Sequence, residues 1–303
     1  MLAIVIPYYK YTFFEDTLQS LANQTDKRFK VYLGDDGSLE HPTDLLEKHK
    51  DQFDLVYHRF DTNLGSISLV QQWERCIEKT GTEEWIMILG DDDTLSVNCV
   101  SSFYANLEEL EQQKINVIRF ATVVINQDNE KISNLHKHPK LEKSTDFLIR
   151  RFQGGTRSSL SEYVFRKSVL VQIRFKDLPL AWYADLLAVV EVSEFNLIFT
   201  INEAVVYFRL SGLNITSRND NSLQKNIASF HFYYYLLKNK MSFFNREQRV
   251  FLLRRLEKAF LDNKMNINFW MLFTKLYLSN GYFKRYFSFL NTMIKAIYKK
   301  INK

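Results

Sequence analysis

The stretch Trp85-Ile86-Met87-Ile88-Leu89-Gly90-Asp91-Asp92-Asp93 ends in three consecutive carboxylates. Adjacent negative charges repel, so folding by itself gives no reason to place them together. A hard divalent cation does, because Mg²⁺ and Mn²⁺ take carboxylate oxygens and often share them with phosphate. The competing role is a helix cap, with Asp93 accepting backbone N–H groups ahead of Thr94-Leu95. A cap needs one such residue, not three. The apolar run before the aspartates reads as a buried strand, which puts the carboxylates at a strand end.

Two more polar clusters close short apolar runs. Pro7-Tyr8-Tyr9 follows Ala3-Ile4-Val5-Ile6, and Asp35-Asp36-Gly37-Ser38 follows Lys30-Val31-Tyr32-Leu33. Taken alone, Asp36-Gly37 is a turn. Helical spacing separates these runs: Phe14, Leu18 and Leu21, then Leu45 and Leu46, then Ile67, Val70, Trp73 and Ile77. Leu55-Val56-Tyr57 reads as another strand, Val100, Phe103, Leu107 and Leu110 as one more helical stripe, and Val117 to Ile125 as a further strand. This alternation predicts an α/β fold with a mostly parallel sheet flanked by helices. Such sheets bind ligands beyond the carboxyl ends of their strands, so the three clusters are expected on one rim.

Set together, Ile4-Val5-Ile6-Pro7-Tyr8-Tyr9, Ser20-Leu21-Ala22-Asn23-Gln24-Thr25, Asp35-Asp36-Gly37-Ser38, Asn63-Leu64-Gly65 and Leu89-Gly90-Asp91-Asp92-Asp93-Thr94-Leu95 resemble the inverting family 2 glycosyltransferases of GT-A fold, of the type that builds bacterial cell-surface polysaccharide. The resemblance covers about the first 125 residues. It implies that Pro7 and Tyr9 line a base pocket and that Asp36 accepts the N–H of a uracil-type base. It further implies that Asn63 and Gly65 belong to the nucleotide site, that Asp92 faces the ribose or metal-bound water, and that Asp93, with Asp91, holds Mn²⁺ or Mg²⁺ at the diphosphate. Two departures stand out. Gly90 occupies a position where the family commonly has another aspartate, which leaves open which two of the three aspartates hold the metal. Val70-Gln71 replaces a common Arg-Asn pair, leaving Arg75 as the nearest cation.

An inverting transfer also needs a base for the acceptor hydroxyl. The resemblance points to an acid on a later helix, and Trp182-Tyr183-Ala184-Asp185-Leu186-Leu187 supplies Asp185, which can also serve as a helix cap. Glu191 and Glu194 are downstream alternatives. Tyr207-Phe208-Arg209 and the following Ser211 to Arg218 resemble a late loop over the diphosphate, with Arg209 or Arg218 pairing to phosphate oxygens.

The 303 residues are 46% hydrophobic and 25% charged, with 25 Phe and 16 Tyr against 9 Gly, a composition that argues for a packed core and against disorder. The two cysteines, Cys76 and Cys99, lie on apolar helical faces and read as reduced core residues. His136 and His138 lack a third ligand nearby and read as a solvated loop. No dinucleotide fingerprint, Walker A lysine or nucleophile elbow occurs. No signal peptide or membrane span is visible, so a cytoplasmic enzyme is expected. From Lys264 to Lys303 there are eight Lys/Arg and no acid; subtracting these from 40 leaves 32 basic against 35 acidic residues, a net of −3. The basic tail, with Phe283, Tyr286, Phe287 and Leu290 on one helical face, predicts contact with an anionic membrane surface and a peripheral location on the inner face of the plasma membrane. It carries no nucleic-acid recognition motif.

Residues 126–160 read as polar excursions, and everything after about Asn226 as helix. The expected organisation is a GT-A catalytic domain over 1–225, with a nucleotide half (1–125) and an acceptor half (126–225), followed by a helical region over 226–303. The expected activity is hexosyl or N-acetylhexosaminyl transfer from a UDP-sugar or related nucleotide-sugar donor to a saccharide or lipid-linked acceptor. A nucleotidyltransferase is disfavoured because Pro7 to Tyr11 contains no glycine-rich basic loop. A non-catalytic sugar- or nucleotide-binding protein is disfavoured by the acid at Asp185.

Overall fold

The computed structural model describes residues 1–212 and 220–301, of which 296–301 by backbone alone. The chain forms two compact units, 1–220 and 221–303.

The first unit is built on one nine-stranded sheet. Its strands are β1 (Leu2–Tyr8), β2 (Phe29–Asp35), β3 (Asp54–Arg59), β4 (Trp85–Ile88), β5 (Thr94–Leu95), β6 (Val117–Ile125), β7 (Leu141–Lys143), β8 (Tyr163–Arg166) and β9 (Leu197–Arg209). They lie in the order β3-β2-β1-β4-β8-β6-β9-β5, with β7 also paired to β9. β1, β2, β3 and β4 are mutually parallel, and β6 runs parallel to β9; β8, β5 and β7 pair antiparallel. Strands covered on both faces must be apolar throughout, and β1, β4 and β6 are almost wholly buried.

The helices α1 (Phe14–Ala22), α2 (Thr43–His49), α3 (Leu69–Ile77), α4 (Cys99–Ala105), α5 (Leu107–Gln112), α6 (Ser144–Phe152), α7 (Lys167–Ile173) and α8 (Ala184–Val192) complete this unit. Phe14, Leu18 and Leu21 of α1 join Leu2, Ile4, Ile6, Trp85 and Phe103 in one core. The stripe from Val100 to Leu110 is divided at Asn106 into two helices. Ile67 lies outside α3 and is exposed. The polar-looking stretch 126–160 contributes core after all, because Phe147 and Leu148 of α6 are fully buried. Cys76 and Cys99 are free and buried.

The register places the chemistry. Pro7 and Tyr8 of β1 stand beside Gly34 and Asp35 of β2. A register shift in the β6–β9 ladder between Phe120 and Ala121 lets the far half of β9 pair with β5, setting Thr94 against Tyr207. The end of β9 therefore meets the triple aspartate.

The second unit contains α9 (Ser222–Asn239), α10 (Arg246–Asp262), α11 (Ile267–Ser279) and α12 (Phe283–Ile301). Asn245 and Gln248 form a reciprocal cap at the start of α10. Gly281, with φ of 70°, makes the turn between α11 and α12 that Asn280-Gly281 announces. Aromatic packing holds the unit: Phe260 and Phe273 stack at 4.5 Å between ring centroids, and Tyr286 is buried close by. Among the described residues no helix is long and apolar enough to cross a membrane.

Candidate active site

The three polar clusters do meet on one rim. The backbone N–H of Asp36 donates to Tyr8 O at 3.0 Å, and the Asp91 carboxylate accepts from the N–H groups of Tyr9 and Lys10, both at 2.8 Å. Ser38 Oγ donates to Tyr9 O at 2.6 Å, which fixes the chain just past β1. The ring of Tyr9 itself is 42% exposed and available to lie against a flat ligand.

Asp36 is turned differently from the sequence expectation. Its carboxylate is buried and accepts from Leu64 N at 2.8 Å and Gly65 N at 2.9 Å, and it is ion-paired to Arg75. Three of the roughly four acceptor sites of a carboxylate are thereby engaged within the protein. Burial raises its pKa, while the two N–H groups and Arg75 lower it. This explains Asn63-Leu64-Gly65. Asn63 Oδ1 accepts from Ser66 N to shape the loop, and Gly65 is needed because a Cβ there would lie 2.5 Å from Asp36 Oδ2. Arg75 also donates to Thr62 O and lies over the Phe60 ring at 3.8 Å, so it serves the Asp36 loop rather than substituting for a phosphate contact.

At the triple aspartate the three acids have three environments. Thr94-Leu95 is a strand, so Asp93 caps no helix. Asp93 is buried, and its carboxylate accepts from Arg209 N at 2.8 Å and from the Ser161 hydroxyl. Asp91 Oδ2 is turned to β1, as described above. Burial pushes both Asp91 and Asp93 up to about 6, with repulsion from Asp92 adding to the first and repulsion from Asp91 to the second. Gly90 supplies the remaining detail: a Cβ at that position would lie 3.0 Å from Asp93 Oδ2 and 3.2 Å from Asp92 Oδ1. Two carboxylate oxygens thus face one cradle that the missing side chain leaves open.

No three His, Cys, Asp or Glu side chains among the described residues converge into an all-protein metal cage. Mg²⁺ and Mn²⁺ do not need one when a phosphate ligand completes the shell, and one or two carboxylates suffice. The hard-oxygen cradle of Asp92 and Asp93 fits that mode.

Arg209 differs from expectation as well. Its guanidinium is fully buried, paired to Asp16 Oδ2 at 2.9 Å and donating to Asp92 O, Asn126 O and Asn129 Oδ1. It braces the rim from below instead of presenting itself to phosphate. Arg218 lies outside the described residues.

Asp185 lies on the wall of a cavity of about 390 Å³, together with Trp73, Trp182, Tyr183, Phe208, Arg151 and Arg157. It is the second residue of α8, whose cap is Tyr183, so its place is the first helical turn rather than the cap. Leu180, Ala181 and Tyr183 all have positive φ (60°, 52° and 68°), an unfavourable state for residues bearing a Cβ. This strained turn is what carries Trp182 and Asp185 to the cavity. Burial pushes the Asp185 carboxyl up to about 6, against the pull of the Leu186 N–H and of Arg151 and Arg157. Glu191 is buried and Glu194 exposed, and neither lines this cavity.

Sequence reasoning missed three residues here. Ser161 accepts from Gly90 N at 3.1 Å and donates to Asp93. Arg157 lies over the Phe208 ring at 4.4 Å, 3.7 Å from the buried Glu162, and its charge lowers the pKa of both Asp93 and Asp185. Arg151 is the third. All sit in 150–162, where no motif marks them. His138, read as solvated, is in fact buried: its Nδ1 is 2.8 Å from Arg150, and desolvation pushes its pKa down to about 2.

Residues 3–168 match the sequence profile of the family described as Glycosyl transferase family 2. No curated protein sequence matches the chain significantly. Among solved structures, the Staphylococcus aureus TarS 1-349 complex with UDP-GlcNAc is similar, with a TM-score of 0.61 at 15% identity over 86% of this chain and 72% of that one. The mannosyltransferase PcManGT of Pyrobaculum calidifontis, in complex with GDP-Man and Mn²⁺, gives a TM-score of 0.58 at 9% identity over 86% of this chain and 72% of that one. GalNAc-T7 with UDP, GalNAc and Mn²⁺ gives 0.51 at 10% identity over 88% and 57%. At these identities the likeness is one of fold.

Proposed function

The chain belongs to glycosyl transferase family 2 and is a transferase, and from there we propose that it moves a sugar from a nucleoside-diphosphate donor, a UDP-sugar first among them, to a saccharide hydroxyl with inversion at the anomeric carbon. The observation that carries the reading is the linkage of the Gly90 cradle to the Asp185 cavity. Ser161 donates to Asp93 and accepts from Gly90 N, and the segment just before it, Arg157 to Leu160, lines the cavity with Asp185. Nucleotide-sugar complexes of the similar folds support the donor class.

In this reading the base lies against the exposed Tyr9 ring beyond Pro7, on the rim whose shape Asp36, Asn63 and Gly65 maintain. Asp92 and Asp93 would hold Mn²⁺ or Mg²⁺ at the diphosphate, with Asp91 fixing the strand end beside them. When bound, the ion would neutralise charge on the departing nucleoside diphosphate. Asp185 takes the proton of the acceptor hydroxyl as its oxygen attacks the anomeric carbon and the bond from that carbon to the diphosphate breaks. A carboxyl near 6 is largely ionised at neutral pH, yet holds a proton better than an ordinary aspartate, which suits a general base. Trp182 and Tyr183 offer ring faces for sugar packing.

The second unit supports a peripheral membrane role. Tyr286 packs inward, so the single amphipathic face expected for the tail is divided, but Phe283 and Phe287 remain 52% and 63% exposed beside Lys284. Exposed aromatics among basic residues fit an anionic headgroup layer, and with it a lipid-linked acceptor.

The test is a thermal-shift and turnover screen of UDP-, GDP-, CMP- and dTDP-sugars with and without Mn²⁺, since a ligand that binds the native state raises the melting point by mass action. A UDP-sugar shift that needs Mn²⁺ is expected. No shift with any donor would remove the reading.

A further inference from the structure

We propose that the acceptor is an anionic saccharide, carrying a phosphate or carboxylate near the hydroxyl to be glycosylated, and that Arg151 recognises that charge. The proposal rests on the assignment of Asp185 and its cavity to the acceptor.

Among the described residues of the first unit, every arginine except Arg151 has a carboxylate within 4 Å: for example Arg59 with Asp35, Arg119 and Arg150 with Glu142, and Arg209 with Asp16. Arg151, in the last turn of α6, has none. Its guanidinium makes no hydrogen bond to any described residue, and its Nε is a buried donor without a partner. A buried N–H without an acceptor is costly, and a charged one more so. Such a group is unexpected unless something else supplies the acceptor.

Its position indicates what. Arg151 lines the cavity with Asp185 and lowers that carboxyl's pKa. Apart from Ser158 and Ser159, the charged side chains Arg151, Arg157 and Asp185 are the strongly polar groups on a wall that is otherwise apolar or aromatic. Arg157 is matched by Glu162 at 3.7 Å, whereas Arg151 has no carboxylate within 4 Å among the described residues, so the wall keeps one cation unmatched at contact distance, which favours an anion over a neutral polyol. Arg157 is already engaged by the Phe208 ring at 4.4 Å and by Glu162. Arg151 is then left for an oxyanion on the acceptor, which a planar guanidinium binds with two parallel hydrogen bonds.

The test uses the full chain with UDP and Mn²⁺ and measures binding of glucose 6-phosphate, glucuronate and glucose as probes. The charged probes are expected to bind at least about 10-fold more tightly than glucose. Arg151→Gln should bring the three to parity, Arg151→Lys should keep part of the preference, and UDP affinity should stay within about twofold in both variants. Parity in the native chain, or a preference that survives Arg151→Gln, overturns the proposal. So does an Arg151 dependence seen only when UDP-glucuronate is compared with UDP-glucose, which would move the anion to the donor sugar. If UDP fails to bind while the charged preference and its Arg151 dependence persist, the nucleotide reading falls and the anion site stands.

Discussion

The Asp91 carboxylate accepts the backbone N–H of Tyr9 at 2.8 Å, joining two motifs that are 82 residues apart in the chain. An acid that looks like one of three equivalent metal ligands is thereby the clamp on the end of β1. This relationship separates the aspartates by role and makes them experimentally distinguishable.

Asp93→Asn and Asp92→Asn should each lower Mn²⁺-dependent UDP affinity by about 10-fold or more, since each removes a charged oxygen from the Gly90 cradle. Asp91→Asn should instead weaken UDP binding equally with Mn²⁺ and with EDTA, because it loosens the Tyr9 segment. Isothermal titration of the three variants in both conditions decides it; identical behaviour of all three would dissolve the distinction.

Asp185→Asn should cut turnover by about 10²-fold or more and leave UDP affinity nearly unchanged. In the native enzyme kcat/KM should fall as pH drops below about 6, when the base is protonated. Its pKa is raised in the folded state, so between the unfolded value and about 6 the native protein binds the extra proton and stability falls as pH rises. Asp185→Asn should therefore raise the melting point at pH 7, with an upper bound of about 3 kcal/mol, lessened because the carboxylate still faces the cavity. Calorimetry at pH 4 and pH 7 checks the sign, and full turnover in the variant would transfer the base to another acid.

Gly65→Ala should destabilise the protein by about 1–3 kcal/mol, since the added methyl drives against Asp36 Oδ2 at 2.5 Å. Denaturant midpoints measure this, and UDP affinity should fall with it. An alanine variant of native stability would mean that the loop has room the structure does not show.

For the tail, sedimentation with vesicles containing anionic lipid should succeed at low salt and weaken as salt rises. Phe283→Asp should weaken it without unfolding the unit, because that ring is 52% exposed and outside the Phe260–Phe273–Tyr286 packing, whereas Phe287, though 63% exposed, also meets Tyr286 edge-on at 5.5 Å. Equal pelleting of native and variant proteins, or none of either, would leave α12 as a packing element alone.

The strands β1, β2, β3, β4 and β6, most helices and the meeting of Tyr9, Asp36 and Asp93 on one rim were legible in the sequence, whereas β7 lies in a stretch that reads as polar excursion and β5 where a helix start is the competing reading. Those features depend on local periodicity and on the rule that parallel strands end together. Asn280-Gly281 likewise marked its own turn, and the motif order marked the family. The sequence did not tell which neighbour each acid holds. Asp35, Asp36, Asp91 and Asp93 look alike in the chain, yet each has a partner 22 to 116 residues away that only the packed sheet selects. The same holds for cations. Arg75 and Arg209 stand in motifs and turn inward to pair with Asp36 and Asp16, whereas Arg151 and Arg157 stand in none and line the cavity with Asp185. Charge on a side chain is written in the sequence; whether that charge is already matched is decided by which buried neighbour the fold brings to it.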